Sequence, residues 1–69
     1  MLSSRQYSEI VNAATNPPKY IRGGQALMNK LYSLSPKAYF SVIESDNDCF
    51  YCDDKVARTL EFLEMLIDT

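Results

Sequence analysis

Histidine is absent from the 69 residues, and cysteine, glycine and proline are scarce, at two, two and three. Each shortage excludes something. Without an imidazole, a nucleophilic serine would need a lysine or a terminal amine as its base, and no residue is marked for that role. The two cysteines, Cys49 and Cys52, supply half of the four ligands that a structural zinc site takes. Few glycines and prolines, beside 46% hydrophobic and 23% charged residues, argue against a disordered or low-complexity chain. No apolar run approaches the ~18 residues of a membrane span, and the first residues lack the basic-then-apolar order of a signal peptide. The expectation is a single domain over residues 1–69, cytoplasmic, with reduced thiols and no contact with membrane. A domain this short buries only about 60% of its unfolded surface, so pairing into a homodimer is a way to gain core.

Charge is divided along the chain. Residues 1–40 carry Arg5, Lys19, Arg22, Lys30 and Lys37 against Glu9 alone, a balance of +4. Residues 41–69 carry eight acids against Lys55 and Arg58, a balance of −6. Such a chain can pair its halves internally or show a charged face to a partner. Nucleic acid is disfavoured as that partner unless the basic half stands apart from the acids.

The pattern is helical throughout, and the fold class is all-α: three main helices and a short one in a compact bundle. Ser3 and Gln6 form a capping box, after which Tyr7, Ile10, Val11 and Ala14 recur on one helical face until Asn16-Pro17-Pro18 stops the helix. Gly23-Gly24 opens a second helix with one stripe of Leu27, Leu31 and Leu34 and another of Met28 and Tyr32, which makes it the central one. Ser35-Pro36 restarts the chain as N-cap and first helical residue. The short helix that follows, to about Glu44, offers Tyr39, Phe40 and Ile43 to the core. Asp53 or Asp54 then caps a last helix buried along Val56, Leu60, Leu63 and Ile67 and widened by Phe62 and Leu66. Its outer face sets Asp54 and Arg58 at i, i+4 pairing distance. Tyr7, Ile10, Leu27, Leu31, Tyr39, Ile43, Phe50, Leu60 and Leu63 are the expected core.

The segment Asp48-Cys49-Phe50-Tyr51-Cys52-Asp53-Asp54 holds both cysteines. A redox pair expects a preceding strand and a depressed thiol pKa, whereas Asp48, Asp53 and Asp54 disfavour a thiolate. A metal would need a second pair of thiolates from another chain, or carboxylates. Asp46 and Asp48 begin like a calcium loop, but Phe50, Tyr51 and Ala57 fall where an oxygen ligand, the turn glycine and the bidentate acid belong. Two packed thiols, with Phe50 and Tyr51 anchoring the loop, are the expected outcome. No cofactor and no catalytic residues are assigned; the chain reads as a non-enzyme.

A basic stretch, Pro17 to Gln25, is the other candidate. Lys19 and Arg22 flank Tyr20, and Gly23-Gly24 exposes the N–H groups of a helix start, ahead of Gln25. Together they can hold a small anionic ligand through the helix dipole and the guanidinium fork. The plainer alternative is that the glycines let the chain turn while Tyr20 and Ile21 pack.

From Arg22 to Asp53, the segment "RGGQALMNKLYSLSPKAYFSVIESDNDCFYCD" resembles a pattern found in small uncharacterised proteins of bacteriophages and bacterial mobile elements: Gly-Gln-Ala, Asn then Leu-Tyr, a proline opening the next helix, and Asp-x-Phe-Tyr-x-Asp. Gln25, Asn29, Asp48 and Asp53 stand at its polar positions, where they cap helices or line a recognition surface. The resemblance implies a phage-type protein in a bacterial host cell, binding and inhibiting a host or defence protein or complex. Sequestration of a signalling nucleotide, or a helix-turn-helix DNA-binding regulator, are the alternatives it leaves open. The candidate contact residues are Asp46, Asp48, Tyr51, Asp53 and Asp54 on the acidic side. On the basic side they are Lys19, Tyr20, Arg22, Gly23, Gly24 and Gln25.

Overall fold

In the computed structural model, which describes residues 1–68, the first helix begins at the expected capping box. The Gln6 N–H donates to Ser3 Oγ at 3.0 Å and the Ser3 N–H donates to Gln6 Oε1 at 2.9 Å, an arrangement that stabilises a helix by about 1 kcal/mol. Helix α1 (Ser4–Thr15) ends where Asn16 donates back to the Asn12 carbonyl, just before the two prolines. It buries Ile10 completely and packs Tyr7 and Ala14 against the core.

Helix α2 (Gly23–Leu34) is central, touching every other helix. Ala26, Leu27, Met28 and Leu31 are all buried, so its apolar face is wide enough to serve several neighbours. A single residue, Ser35, connects it to α3 (Pro36–Glu44). The Ser35 hydroxyl accepts from the Ala38 N–H at 3.2 Å, and Pro36 takes the first helical position. The residue types that start this helix were legible; its rotation was not. α3 buries Ala38 and Val42, leaving Phe40 53% and Ile43 41% exposed. Ala38 and Val42 have smaller side chains than the aromatic residues expected to face inward. Placed four apart on one face, they join the core cluster and let α3 lie close against its neighbours α2 and α4. Tyr32 is displaced outward with them, and Tyr39 is only half-buried.

A Schellman motif ends α3. The Asp46 N–H donates to the Ile43 carbonyl and the Asn47 N–H to the Val42 carbonyl, with Asp46 itself in the left-handed region at φ 63°; this is the position usually given to glycine. After the loop, a 3₁₀ turn (Asp53–Lys55) leads into α4 (Val56–Glu64). Counted with that turn, the last helical segment matches α1 and α2 in length, and α3 is the short one, as expected. Neither Asp53 nor Asp54 caps it: Lys55 stands at the N-cap with no side-chain bond. α4 buries Thr59 and Leu63, with Val56, Leu60 and Phe62 packed beside them. The Thr59 hydroxyl lies between the Asn47 and Lys55 carbonyls and ties the loop to the helix. Asp54 and Arg58 form no ion pair among the described residues.

The helix stops at Glu64, so Ile67 does not continue the stripe. Instead it makes a parallel bridge with Leu2. Leu2 donates to the Leu66 carbonyl at 3.1 Å and accepts from the Asp68 N–H at 2.8 Å. Its side chain is 1% exposed and belongs to the core. The Met1 amine sits 2.6 Å from Asp68 Oδ2 across the same junction. Among the described residues, no helix is long and apolar enough to cross a membrane.

Candidate functional site

The start of α2 and the Asp48–Asp53 loop meet, and they bring the acidic and basic candidates onto one surface. Arg22, the N-cap residue of α2, donates from Nη2 to the Phe50 carbonyl at 2.8 Å. Its Nη1 lies 3.7 Å from Asp53 Oδ1. The same Asp53 oxygen accepts from the Gly24 N–H at 3.1 Å. The free N–H of the helix start is therefore answered by a carboxylate from the chain itself, where the helix dipole also favours negative charge. An incoming anion would meet Asp53 there. Both Arg22 and Asp53 are about half exposed, so their ion pair positions the loop more than it stabilises it.

Close packing explains the glycines. A Cβ on Gly24 would lie 2.1 Å from the Cys49 carbonyl oxygen and 2.9 Å from Asp53 Oδ1. One on Gly23 would lie 2.8 Å from the Ala14 carbonyl oxygen. The loop backbone thus rests directly on the helix start, and α1 lies against its other side. Cys49 is fully buried, with its thiol donating to the Gly24 carbonyl at 3.6 Å. Burial pushes that thiol above its ordinary pKa, with a smaller push from the nearby Asp48 and Asp53 charges, while its contact with Thr59 pulls the other way. Cys52 is half-buried, and both thiols are free.

Within the loop, Asp48 Oδ1 accepts from the Phe50 N–H at 2.8 Å, closing a local turn. Phe50 packs against the core, as expected. Tyr51 does not anchor the loop: it is 83% exposed, resting edge-on against Phe50 with ring centroids 4.8 Å apart. Tyr20 does not pack as the plainer alternative had it. It is 93% exposed and sits in the left-handed region at φ 69°, the third residue of a turn closed by the Ile21 N–H on the Pro18 carbonyl. Glycine or asparagine is preferred at such a position, and a bulky side chain there is an outlier. The Lys19 ammonium lies 5.2 Å from the Tyr20 ring centroid, an exposed cation–π contact. Ile21, by contrast, is half-buried.

Other candidates stay apart. Asp46 serves the end of α3, and the Asp54 side chain makes no hydrogen bond or ion pair among the described residues. Gln25 is half-buried and Asn29 exposed on α2. Sequence reasoning missed a cluster on the other flank of α2, where the Tyr32 ring lies 5.0 Å from Tyr39 and 6.5 Å from Phe40, edge to face. Aromatic residues at 39 and 40 look like core until the small pair at 38 and 42 is recognised as the inner face. No pocket opens among the described residues, and no three of their Cys, Asp or Glu side chains converge as metal ligands. In comparisons with protein-family models, with curated proteins and with solved structures, none matches this chain.

Proposed function

We propose that the protein is a small, non-catalytic binding domain whose contact surface is the joined Tyr20–Arg22 and Phe50–Asp53 segments. Tyr20 carries the reading. A large aromatic at 93% exposure contributes nothing to the core, and a backbone at φ 69° makes it a costly residue to keep. Strain held at an exposed position is a pointer to use rather than to stability. Tyrosine and arginine are the residue types that most often dominate the energy of a protein interface, and Tyr20, Arg22 and Tyr51 stand on one connected surface. The mixed charge around them sets encounter and specificity, while the tyrosines supply the affinity.

The partner is a protein surface, and the mode of action is inhibition of a bacterial host or defence complex by a phage-type protein. The resemblance of residues 22–53 to small phage and mobile-element proteins supports this part of the reading. Two features weigh against the alternatives. Asp53 fills the place at α2 where a nucleotide phosphate would sit. α2 and α3 are joined by Ser35 alone, shorter than the roughly 3–4-residue turn of a helix-turn-helix.

The test separates binding from folding. Immobilised wild-type chain and the Tyr20→Gly and Tyr51→Ala variants are exposed to bacterial lysate, and bound proteins are identified by mass spectrometry. Tyr20→Gly relieves the backbone, so its thermal midpoint should hold or rise while the captured partner is lost. A partner retained at full strength by both variants, or turnover of a substrate by the purified chain, sinks the proposal.

A further inference from the structure

We infer that the outer face of α3 is a self-complementary dimer interface, centred on Phe40 and occupied by the same face of a second copy in antiparallel orientation. This inference does not depend on the Tyr20 surface. Its first support is geometric. With Ala38 and Val42 turned inward, the 3.6-residue turn places Phe40 about 180° from the midpoint of that pair, directly outward. Ile43 lies beside it, and Tyr32 and Tyr39 border it through edge-to-face contacts. Three of these four side chains are more than 40% exposed. Phe40, Ile43 and Tyr39 lie on the nine-residue α3 and Tyr32 extends the strip onto α2, a contiguous apolar feature that marks an interaction site rather than scattered surface carbon.

Charge identifies the occupant. Lys37 stands three residues before Phe40 and Glu44 four after it, both exposed on the outer half of the helix. Neither takes part in an ion pair among the described residues. Each also has the wrong sign for its own end of α3, which has no acid in its first turn and no base in its last. A cation near the N-terminus and an anion near the C-terminus oppose the helix macrodipole. Across a two-fold axis at Phe40, the same charges are correct. Lys37 then faces Glu44 and the C-terminal end of the other α3, Glu44 faces Lys37 and its N-terminal end, and the two dipoles run antiparallel. An isologous contact makes every such pairing twice.

The helix is only about 14 Å long, and a standard interface takes ~800 Å² from each partner. The dimer is accordingly concentration-dependent, with dissociation in the micromolar range or weaker.

Sedimentation equilibrium at low ionic strength, up to about 1 mM chain, tests this. The wild type should show a monomer–dimer equilibrium, and Phe40→Ser should weaken it by about a hundred-fold while keeping its helical circular dichroism. Lys37→Glu and Glu44→Lys should each weaken it by roughly ten-fold, because each turns two attractive pairs into repulsive ones. Mixed together, those two variants should pair with each other at or near wild-type strength, since every facing charge is then opposite. A wild type that stays monomeric throughout overturns the inference, whatever else binds the Phe40 face. So does a dimer indifferent to Phe40→Ser, or a mixture of the two charge variants that fails to recover association.

Discussion

Gly24→Ala is the substitution on which two ordinary arguments disagree, and the structure decides between them. Helix propensity favours the change: alanine exceeds glycine by up to ~1 kcal/mol in a helix interior and by less near its start. Packing opposes it. The new Cβ would stand 2.1 Å from the Cys49 carbonyl oxygen, where real Cβ atoms keep 3.0 Å or more, so the loop must retreat by ~1 Å. The obstacle is backbone, which cannot swing aside as a flexible side chain can. Retreat also stretches the Gly24–Asp53 hydrogen bond and loosens the seat of Cys49. Overpacking of this kind costs about 1–3 kcal/mol, and a charge-assisted bond adds roughly 1 kcal/mol more. The net expectation is a loss of about 2–3 kcal/mol, out of roughly 3–10 kcal/mol for a chain of this length. Equilibrium urea unfolding followed by circular dichroism measures it, and the midpoint should fall by about 2 M at a typical slope. Gly23→Ala, whose Cβ would meet the Ala14 oxygen at 2.8 Å, should lose less. An unchanged or raised midpoint for Gly24→Ala would refute the account of the loop resting on the helix start.

Two further expectations follow from the described geometry. Asp46→Gly should stabilise the fold by about 0.5–1 kcal/mol in the same assay, because the Schellman position at φ 63° strains any residue with a Cβ; a loss would show that the Asp46 side chain does something more than end a helix. Alkaline pH should destabilise the protein. Burial raises the Cys49 thiol above its ordinary 9.0. Burial, with the Glu64 charge second, raises the Tyr7 phenol above its ordinary 10.0. The folded state therefore disfavours both anions: stability is full below those ordinary values and falls as pH climbs through the raised ones. Thermal midpoints from pH 7 to 11 should drop most steeply at the alkaline end, with a shallower drop in Cys49→Ala. Equal slopes in the two proteins would remove the thiol from the explanation.

The helices were legible because their signals are local. Ser3 with Gln6, the double proline and Ser35-Pro36 each act within four residues, and each was found where it was expected. Rotation was less legible, because it depends on what a helix meets. Phe40 and Ile43 are larger than Ala38 and Val42, yet the smaller pair is the one turned into the core. Thr59 reads as surface until its hydroxyl is seen between two carbonyls in the interior. Asp53 reads as a cap for the nearest helix, whereas it caps the start of a helix 29 positions earlier. The two candidate contact regions were each named from the sequence. Their union was not, since nothing within either segment signals that Arg22 reaches the Phe50 carbonyl. Tyr20 and Tyr51 were named as contact residues with a packed role read beside it, because tyrosine is at home inside or out.

The bridge between Leu2 and Ile67 gives the molecule a mechanical character that its helices do not suggest. Leu2 and Ile67 run parallel, so tension entering through Met1 and leaving through Asp68 pulls the two segments past each other along their length. The Leu2–Leu66 and Asp68–Leu2 hydrogen bonds are then loaded together in shear. They cannot be peeled one at a time. The buried Leu2 side chain must also leave its seat before either segment can slide, and only then does force reach α1 or α4. Resistance to pulling is a matter of unfolding rate rather than of equilibrium stability. A two-segment clasp, one buried leucine and two hydrogen bonds, thereby governs how the whole domain yields to load.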